Sequence, residues 1–328
     1  MIDRSSLLAS DLERIPKVLL GHTQAARRAM PVRAPGVPLP RRIVLTGLGS
    51  SRFAALVVAP YLRAVGLDVV VEHASTRWTA PLAPGTLLVA ISSSGRTPEV
   101  VAAAHRGRSA GAAVLAVTND PESALAAAAD MVQLLAAGDE ASGVASVTYA
   151  ATVATLYRLA EALGAEIDAE RTLVEAARIA TEILSRRDGW LPEAADLLHA
   201  GAAIHLLADA SALGTAEQAA LLFREGPRLL AGVTDAGDWL HVGVYTALPG
   251  YRAILLSGTP YDDDVVSVIH GRGGRIIAIG PADTEHADIN IPVTGSALGV
   301  PGIRALVESV VLGLIAAELW RRARANDA

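Results

Sequence analysis

Short runs of β-branched and apolar residues alternate with alanine-rich stretches of helical periodicity, and this alternation restricts the fold more than any other feature of the chain. In the first half we predict strands at residues 43–46, 69–72, 86–91, 113–118 and 131–134. Helices are predicted at 52–64, 98–110 and 122–128. Strand–helix–strand alternation is typical of a mostly parallel sheet with helices on both faces, so the sequence predicts an α/β fold.

The same alternation returns in the second half. A long helical stretch over 144–200, interrupted near Gly164 and Gly189, separates the two halves. We then predict strands at 203–207, 253–256 and 275–279 and helices at 212–230, 262–271 and 302–323. Because similar segments recur at an offset of roughly 160 residues, we expect an internal duplication that gives two three-layer α/β/α domains.

The chain of 328 residues is long enough for two domains of ordinary size. We predict an N-terminal helix (5–28) and a proline-rich linker within residues 1–40, and a first domain over 41–165. A helical connector over 166–200 and a second domain over 201–328 complete the predicted organisation.

Composition excludes several classes of function. There is no cysteine, which excludes disulfides, thiolate metal sites and cysteine nucleophiles. A formal net charge of −6 does not indicate a nucleic-acid or membrane partner. Lys17 is the single lysine, so a mechanism through a lysine imine has one candidate. The N-terminal residues lack a signal-peptide pattern and no apolar run is long enough to cross a membrane, so we expect a soluble cytoplasmic protein.

A hydroxyl-rich loop follows the predicted strand 86–91. It contains Ser92, Ser93, Ser94 and Thr97 around Gly95, and Pro98 then opens a helix. A helix N-terminus at the carboxyl end of a strand offers free N–H groups and a partial positive charge to an anion. The alternative is an ordinary serine-rich turn with Thr97 as N-cap.

A second glycine- and serine-containing loop, residues 47–51, follows the first predicted strand and lies at the same sheet edge. Arg52 stands where a dinucleotide-binding fingerprint has its third glycine, and no Walker lysine is present. The pair of loops therefore indicates an anion site other than a nucleotide site of these two types.

The order of these segments resembles the sugar-isomerase (SIS) domain. The resemblance is carried by the sequences GLGSS at 47–51, ISSSGRT at 91–97, TN at 118–119, SAL at 123–125, AD at 129–130 and GVAS at 143–146. The chain is similar to the isomerase half of glucosamine-6-phosphate synthase and to glucosamine-6-phosphate deaminases that contain two SIS domains. The resemblance implies a phosphosugar-binding protein with two SIS domains, and it is weaker after residue 200.

Site residues follow from the resemblance by position. It implies that the phosphate of a sugar phosphate is bound by Ser51, Ser92, Ser93, Ser94 and Thr97. It also implies that Gly49, Ser50 and Ser146 lie near the sugar.

The resemblance also implies a catalytic pair in the second half. The segment LLFRE at 221–225 places Glu225 where the family has a general base, and GDWLH at 237–241 places His241 where it has a ring-opening histidine. A carboxylate and a histidine suit enolisation, which needs a base and a proton shuttle. The alternatives are an ordinary exposed helical glutamate and a structural histidine. The family histidine reaches a neighbouring subunit, which implies a homodimer.

Departures from the family leave two functions open. Leu222 replaces a family lysine, His241 is followed by Val242-Gly243 where the family has Gly-Pro, and the family's lysine-bearing C-terminal tail has no match. We expect either an aldose–ketose isomerase or amino-sugar-phosphate deaminase that acts on a hexose 6-phosphate through an enediol, or a non-catalytic phosphosugar-binding or regulatory protein. Without cysteine we expect no glutaminase activity.

No cofactor or metal is predicted. The three consecutive aspartates at 262–264 lack nearby histidines or spaced carboxylates, so we interpret them as the acidic first turn of a helix.

Overall fold

The computed structural model describes residues 3–25, 30–32, 39–199, 203–281, 283–293 and 302–326. The chain forms two compact units, each assembled from separate segments. The N-sheet unit comprises Lys17–Asp139 and Val147–Val174, and the C-sheet unit comprises Met1–Pro16, Glu140–Ser146 and Glu175–Ala328. Part of the predicted linker (33–38) and the end of the predicted first helix (26–28) lie outside the described residues.

The N-sheet unit is built on a parallel sheet of five strands in the order β2-β1-β3-β4-β5. The strands are β1 (Arg42–Gly47), β2 (Asp68–His73), β3 (Thr86–Ile91), β4 (Ala113–Thr118) and β5 (Met131–Leu134). Every residue of β3 is buried, as expected for a central strand covered on both faces. All strands predicted in the first half are confirmed.

Small residues allow the helices of the N-sheet unit to lie close to the sheet. A Cβ atom added at Gly107 would come 2.6 Å from Leu88 Cδ2 of β3, so a larger residue there would force the Leu88 side chain to move. The helices are α2 (Ser50–Ala64), α3 (Pro98–Ser109), α4 (Ala124–Ala128) and α5 (Val147–Ala162). Two further helices have segments in both units, α1 (Arg4–Ala25) and α6 (Ala169–Arg186).

The C-sheet unit has its own parallel sheet of five strands in the order β10-β9-β8-β6-β7. The strands are β6 (Ala203–Ala208), β7 (Leu230–Asp235), β8 (Arg252–Leu256), β9 (Arg275–Gly280) and β10 (Ile289–Pro292). The helices are α7 (Leu191–His199), α8 (Leu213–Glu225), α9 (Ala236–His241), α10 (Asp262–Gly271) and α11 (Ile303–Asn326). The two units therefore give a three-layer α/β/α architecture with two parallel sheets.

The predicted helix 212–230 is wrong at its C-terminal end. The helix stops at Glu225, because Gly226 and Pro227 follow, and residue 230 already belongs to β7. Two strands, β7 and β10, were not predicted. Leu230 at the start of β7 is 73% exposed, and β10 has four residues and ends in proline, so neither forms the continuous apolar run of a central strand.

Numbered within its own sheet, each sheet has the strand order 2-1-3-4-5. In such a sheet the connections diverge to opposite sides between strands 1 and 3, which are β1 and β3 in one unit and β6 and β8 in the other. Ligands of open α/β sheets bind outside the carboxyl ends of the strands at this switch point. Four loops follow the strands at the two switch points and are the candidate ligand sites of this fold: residues 47–51 and 92–97 in the N-sheet unit, and 208–212 and 257–261 in the C-sheet unit.

Within the described ranges, no helix combines the length and apolar character needed to cross a bilayer.

Candidate functional site: the switch-point loops

Backbone hydrogen bonds hold the 92–97 loop at its first residue and at Gly95. The Ser92 N–H donates to Val117 O at 3.1 Å, which extends the pairing of β3 with β4 into the loop. The Gly95 N–H donates to Ser92 O at 2.9 Å, and the Leu125 N–H donates to Gly95 O at 3.0 Å. These bonds fix the loop at the carboxyl edge of the sheet before any ligand binds.

Only glycine fits at position 95. Its φ is +63°, a conformation that residues with a Cβ adopt at a cost. A Cβ atom there would also overlap the Ser123 side chain and would come 2.8 Å from Thr118 Oγ1. The glycine is therefore required by the path of the loop itself.

Four of the five residues predicted to bind phosphate lie together on this loop, whereas Ser51 lies in the first turn of α2. Ser92 Oγ and Thr97 Oγ1 are hydrogen-bonded at 2.9 Å, and Ser94 is exposed. Ser93 contributes its carbonyl oxygen, which accepts from the Asn119 N–H at 2.8 Å. The loop thus presents several hydroxyls next to a helix N-terminus, which is the chemistry that binds a phosphate.

Thr97 occupies the N-cap position of α3 and Pro98 the first helical position, as predicted. The Thr97 side chain makes no capping hydrogen bond to the helix, because its hydroxyl is paired with Ser92. A typical N-cap side chain would instead cover an N–H of the first turn. The N–H groups at the start of α3 are therefore not covered by the N-cap side chain, and Glu99 is the acidic residue of the first turn.

The 47–51 loop adjoins the 92–97 loop. Thr46 pairs with Ala90 in the β1–β3 register, and a Cβ atom at Gly47 would come 3.2 Å from Ile91 O. Gly49, with φ +51°, is the N-cap of α2 and supplies no side-chain cap. Ser50 Oγ is buried without a hydrogen-bond partner among the described residues. A buried hydroxyl with no protein partner at a switch point is suited to a ligand.

The predicted catalytic residues Glu225 and His241 lie in the C-sheet unit. Each is the last residue of its helix, α8 and α9, and each is exposed. Partial desolvation raises the pKa of the Glu225 carboxyl above its ordinary value, while Arg224 and Arg4 offset part of the rise. Among the described residues, no hydrogen bond or ion pair joins the two side chains.

Ser146, predicted to lie near the sugar, is buried and bound to a carboxylate. Its N–H donates to Glu140 Oε1 at 2.8 Å and its hydroxyl donates to Glu140 Oε2 at 3.1 Å. The Gln218 side chain donates to the neighbouring Ala145 O at 2.6 Å, and the Ser142 N–H donates to Asp11 Oδ2 at 2.8 Å. Sequence analysis missed these supports, because Asp11 and Gln218 lie far from this segment in the chain and no short motif signals the pairing of Glu140 with Ser146.

The 257–261 loop of the C-sheet unit has a different character. Asp262, the first residue of α10, accepts hydrogen bonds from the N–H groups of Gly258 and Thr259 and from the Thr259 hydroxyl. The acidic helix start predicted at 262–264 is thus present. No cluster of three or more histidine, aspartate or glutamate side chains within the described part of the chain is placed to hold a metal ion.

Comparison with known proteins identifies the N-sheet segment. Residues 40–162 match the SIS domain, which confirms the resemblance seen at the two loops. The chain is 31% identical over 299 residues to the glutamine–fructose-6-phosphate aminotransferase (isomerizing) of Caulobacter vibrioides, which covers 84% of this chain and 48% of that protein. The chain thus spans about half the length of these curated relatives.

Solved structures share the fold over nearly the whole chain. The tagatose-6-phosphate ketose/aldose isomerase of Escherichia coli superposes with a TM-score of 0.80 at 20% identity and covers 96% of this chain and 92% of that one. The C-terminal domain of glucosamine-fructose-6-phosphate aminotransferase from Francisella tularensis gives a TM-score of 0.75 at 15% identity, with 97% and 96% covered. At these identities the likeness shows the fold.

Proposed function

We propose that the N-sheet unit binds the phosphate group of a sugar phosphate at the β1/β3 switch point. The observation that carries this proposal is the N-terminus of α3. It has no side-chain capping hydrogen bond, and it lies beside the hydroxyls of Ser92, Ser94 and Thr97. Ser51 and the Ser93 side chain complete the proposed phosphate contacts. The proposal is supported by the unpartnered Ser50 hydroxyl in the neighbouring loop, which we assign with Gly49 to the sugar.

We further propose that the protein is an enzyme of the aldose–ketose isomerase or amino-sugar-phosphate deaminase type. The Glu225 carboxylate takes the proton from the carbon beside the carbonyl, and the electron pair forms the enediol double bond as the carbonyl oxygen is protonated. Return of the proton to the adjacent carbon gives the isomer, with His241 moving protons between oxygens. In the deaminase form, water adds to the imine tautomer and ammonia leaves.

The electrostatics of Glu225 support the role of a base. Because its pKa is raised, the Glu225 carboxylate is a stronger base than an ordinary carboxylate, which suits it to remove a proton from a weak carbon acid. Ser146, held by Glu140, is the proposed sugar contact of the C-sheet unit.

We also propose that the two units arose by internal duplication and that the chain contains two SIS domains, with the domain bounds expected from the sequence. The shared strand order 2-1-3-4-5 supports this proposal. A cytoplasmic location stays a prediction from the sequence.

A homodimer is proposed around the end of α9. Beside His241, the side chains of Val242, Tyr245 and Leu248 are 63%, 75% and 65% exposed, and a second copy would cover them. Light scattering tests this: Tyr245→Glu should lower the mass to that of a monomer, whereas Leu230→Glu, at an exposed residue of β7, should leave it unchanged. A wild-type monomer at all concentrations would contradict the proposal.

A non-catalytic phosphosugar-binding or regulatory protein is the second candidate. The observation in its favour is Leu222, which is buried in α8 where the related enzymes' pattern has a lysine. Such a protein would use the same phosphate loops and would leave Glu225 and His241 without a chemical role.

Proton NMR in D2O with a panel of hexose and amino-sugar 6-phosphates separates the two candidates. An enzyme exchanges the proton beside the carbonyl or converts one sugar, and Glu225→Gln stops this while binding persists. Glu217→Gln, on the same helix, is the matched control and should retain turnover. Line broadening without exchange over hours supports the binding protein, and the absence of both contradicts the proposed site.

A further inference from the structure

The 257–261 loop leaves its sheet in the same way as the 92–97 loop. The Ser92 N–H donates to Val117 O, and the Ser257 N–H donates to Ile279 O at 2.9 Å. Val117 and Ile279 are each the second-last residue of the next strand, β4 or β9. Ser257 is therefore the positional equivalent of Ser92, at the start of a loop that leads to a helix N-terminus.

The anion position of the second loop is already filled. Asp262 Oδ2 accepts from the Gly258 N–H at 2.6 Å and from the Thr259 N–H at 3.2 Å. Asp262 Oδ1 accepts from the Thr259 hydroxyl at 2.6 Å. Two successive N–H groups and a hydroxyl around one anion are the contacts that a bound phosphate would make, and here the anion is a carboxylate of the chain itself.

The neighbouring 208–212 loop also contains a carboxylate that accepts hydrogen bonds from the loop itself. Asp209 accepts from the Ser211 N–H at 2.8 Å and from the Ser211 hydroxyl. The hydrogen bond from the Ser211 side chain lowers the pKa of the Asp209 carboxyl, and Arg304 lowers it further. At the β6/β8 switch point, carboxylates thus accept hydrogen bonds from loop N–H groups, namely Asp209 in the 208–212 loop and Asp262 at the start of α10. The 47–51 and 92–97 loops contain no carboxylate, and the acidic residue of the first turn of α3 is Glu99.

The surroundings also oppose a second anion. A pocket of about 360 Å³ opens beside the 257–261 loop, and its lining includes the acidic residues Asp262, Asp263, Asp283 and Glu285. The nearby cation, Arg304, is already engaged: it donates to Glu308 at 2.7 Å and to Ser257 O at 2.6 Å. A phosphate at this pocket would meet like charges, and the Arg304 guanidinium that could offset them is already paired.

We propose that Asp262 is a built-in anion that closes the β6/β8 switch point to phosphate, so that each chain binds one sugar phosphate, through the N-sheet unit alone. The inference rests on the proposed function, which assigns phosphate binding to the 92–97 loop (the open loop). It adds that the 257–261 loop (the closed loop) has the geometry of an anion site and that the Asp262 carboxylate keeps phosphate out of it.

Inorganic phosphate is the probe, and its stoichiometry is measured by calorimetry with phosphorus NMR as a second readout. Wild type should bind one phosphate per chain. Asp262→Ser, which restores a hydroxyl in place of the carboxylate, should bind two. Asp263→Ser removes the same charge from the same pocket without freeing the N–H groups, and it should bind one. A folded Asp262→Ser protein with the stoichiometry of Asp263→Ser, or a wild type that binds two, overturns the inference.

The two proposals fail in different ways. A wild type that binds no phosphate contradicts the proposed function, whereas the inference is decided by the difference between Asp262→Ser and Asp263→Ser. If Asp262→Ser does not fold, Asp262→Asn is the second variant, because it keeps the shape of the side chain and removes its charge. It should bind a second phosphate more weakly than the first. A folded Asp262→Asn protein that binds one phosphate per chain overturns the inference.

Discussion

The loop after β3 and the loop after β8 leave equivalent strands, start with a serine and lead to a helix, yet their electrostatics are opposite. The first loop presents hydroxyls to an α3 N-terminus that has no side-chain cap, and the second wraps its N–H groups around Asp262. The comparison teaches that the backbone of this fold supplies an anion-binding geometry twice. A single side chain decides whether that geometry is available to a ligand.

Replacement of Gly95 by alanine should have the largest effect on this comparison. The substitution combines a positive φ with an overlap with Ser123, so we expect a loss of about 3 kcal/mol in unfolding free energy and of about 100-fold or more in phosphate affinity. Gly85→Ala is the control, because Gly85 has φ +87° but open space around it, and it should cost about 1 kcal/mol. Urea unfolding and calorimetry measure both. Equal costs would contradict the steric role of Gly95.

A carboxylate placed in the open loop should convert it into a closed one. Ser94→Asp should reduce phosphate affinity about 30- to 100-fold, because the new charge repels phosphate and competes for the same N–H donors. Ser94→Asn has nearly the same shape without the charge and should cost about threefold or less. If both variants bind phosphate equally well, Ser94 lies away from the anion.

Glu308 supports the closed loop through Arg304, which donates hydrogen bonds to both Glu308 and Ser257 O. Its carboxyl is buried, and burial raises its pKa to about 7 although Arg304 pulls it down. The folded state therefore holds a proton that the unfolded state releases near pH 4.5, so unfolding free energy should fall as pH rises from 4.5 to 7. We expect a fall of about 2 kcal/mol after allowance for the coupling to Arg304.

Chemical denaturation at several pH values tests this slope. Glu308→Gln should flatten it, whereas Glu318→Gln on the same helix should leave it in place, because hydrogen bonds from Arg321 lower the pKa of Glu318 and give it the opposite sign. A slope that persists in Glu308→Gln would assign the proton to another group.

Ser50→Ala should give the smallest effect and the most specific one. The unpartnered hydroxyl contributes no protein hydrogen bond, so its removal should leave unfolding free energy unchanged or raise it slightly, while sugar-phosphate affinity falls about 10-fold. Ser309→Ala is the contrast: this buried hydroxyl donates to Leu306 O at 2.7 Å, and its loss should cost about 1 kcal/mol without affecting affinity. A destabilised Ser50→Ala with normal affinity would show a structural role.

The fold was predictable where burial is continuous. The β3 segment is fully buried and was predicted with its observed bounds, and the loop that follows it was recognised from its hydroxyls and Gly95. The β7 strand was missed because its residues are partly or fully exposed, which leaves no apolar pattern to detect.

The site was predictable in its local part only. The N-cap position of Thr97 follows from neighbouring residues, but the pairing of its hydroxyl with Ser92 depends on the loop path. The Glu140–Ser146 contact and the role of Asp262 depend on hydrogen bonds that form only after the chain folds. The aspartates at 262–264 look alike in sequence, and only the structure distinguishes the one that accepts the loop N–H groups.

The discontinuous make-up of the C-sheet unit has a kinetic consequence. Its first segment, Met1–Pro16, contributes Leu12, which packs against Gly313 of α11, and Asp3, which pairs with Arg324 at 3.0 Å. These partners are synthesised roughly 300 residues apart, so the contacts close a very long loop and form late. The N-sheet unit is complete once Val174 has left the ribosome, whereas the C-sheet unit must wait for the last helix.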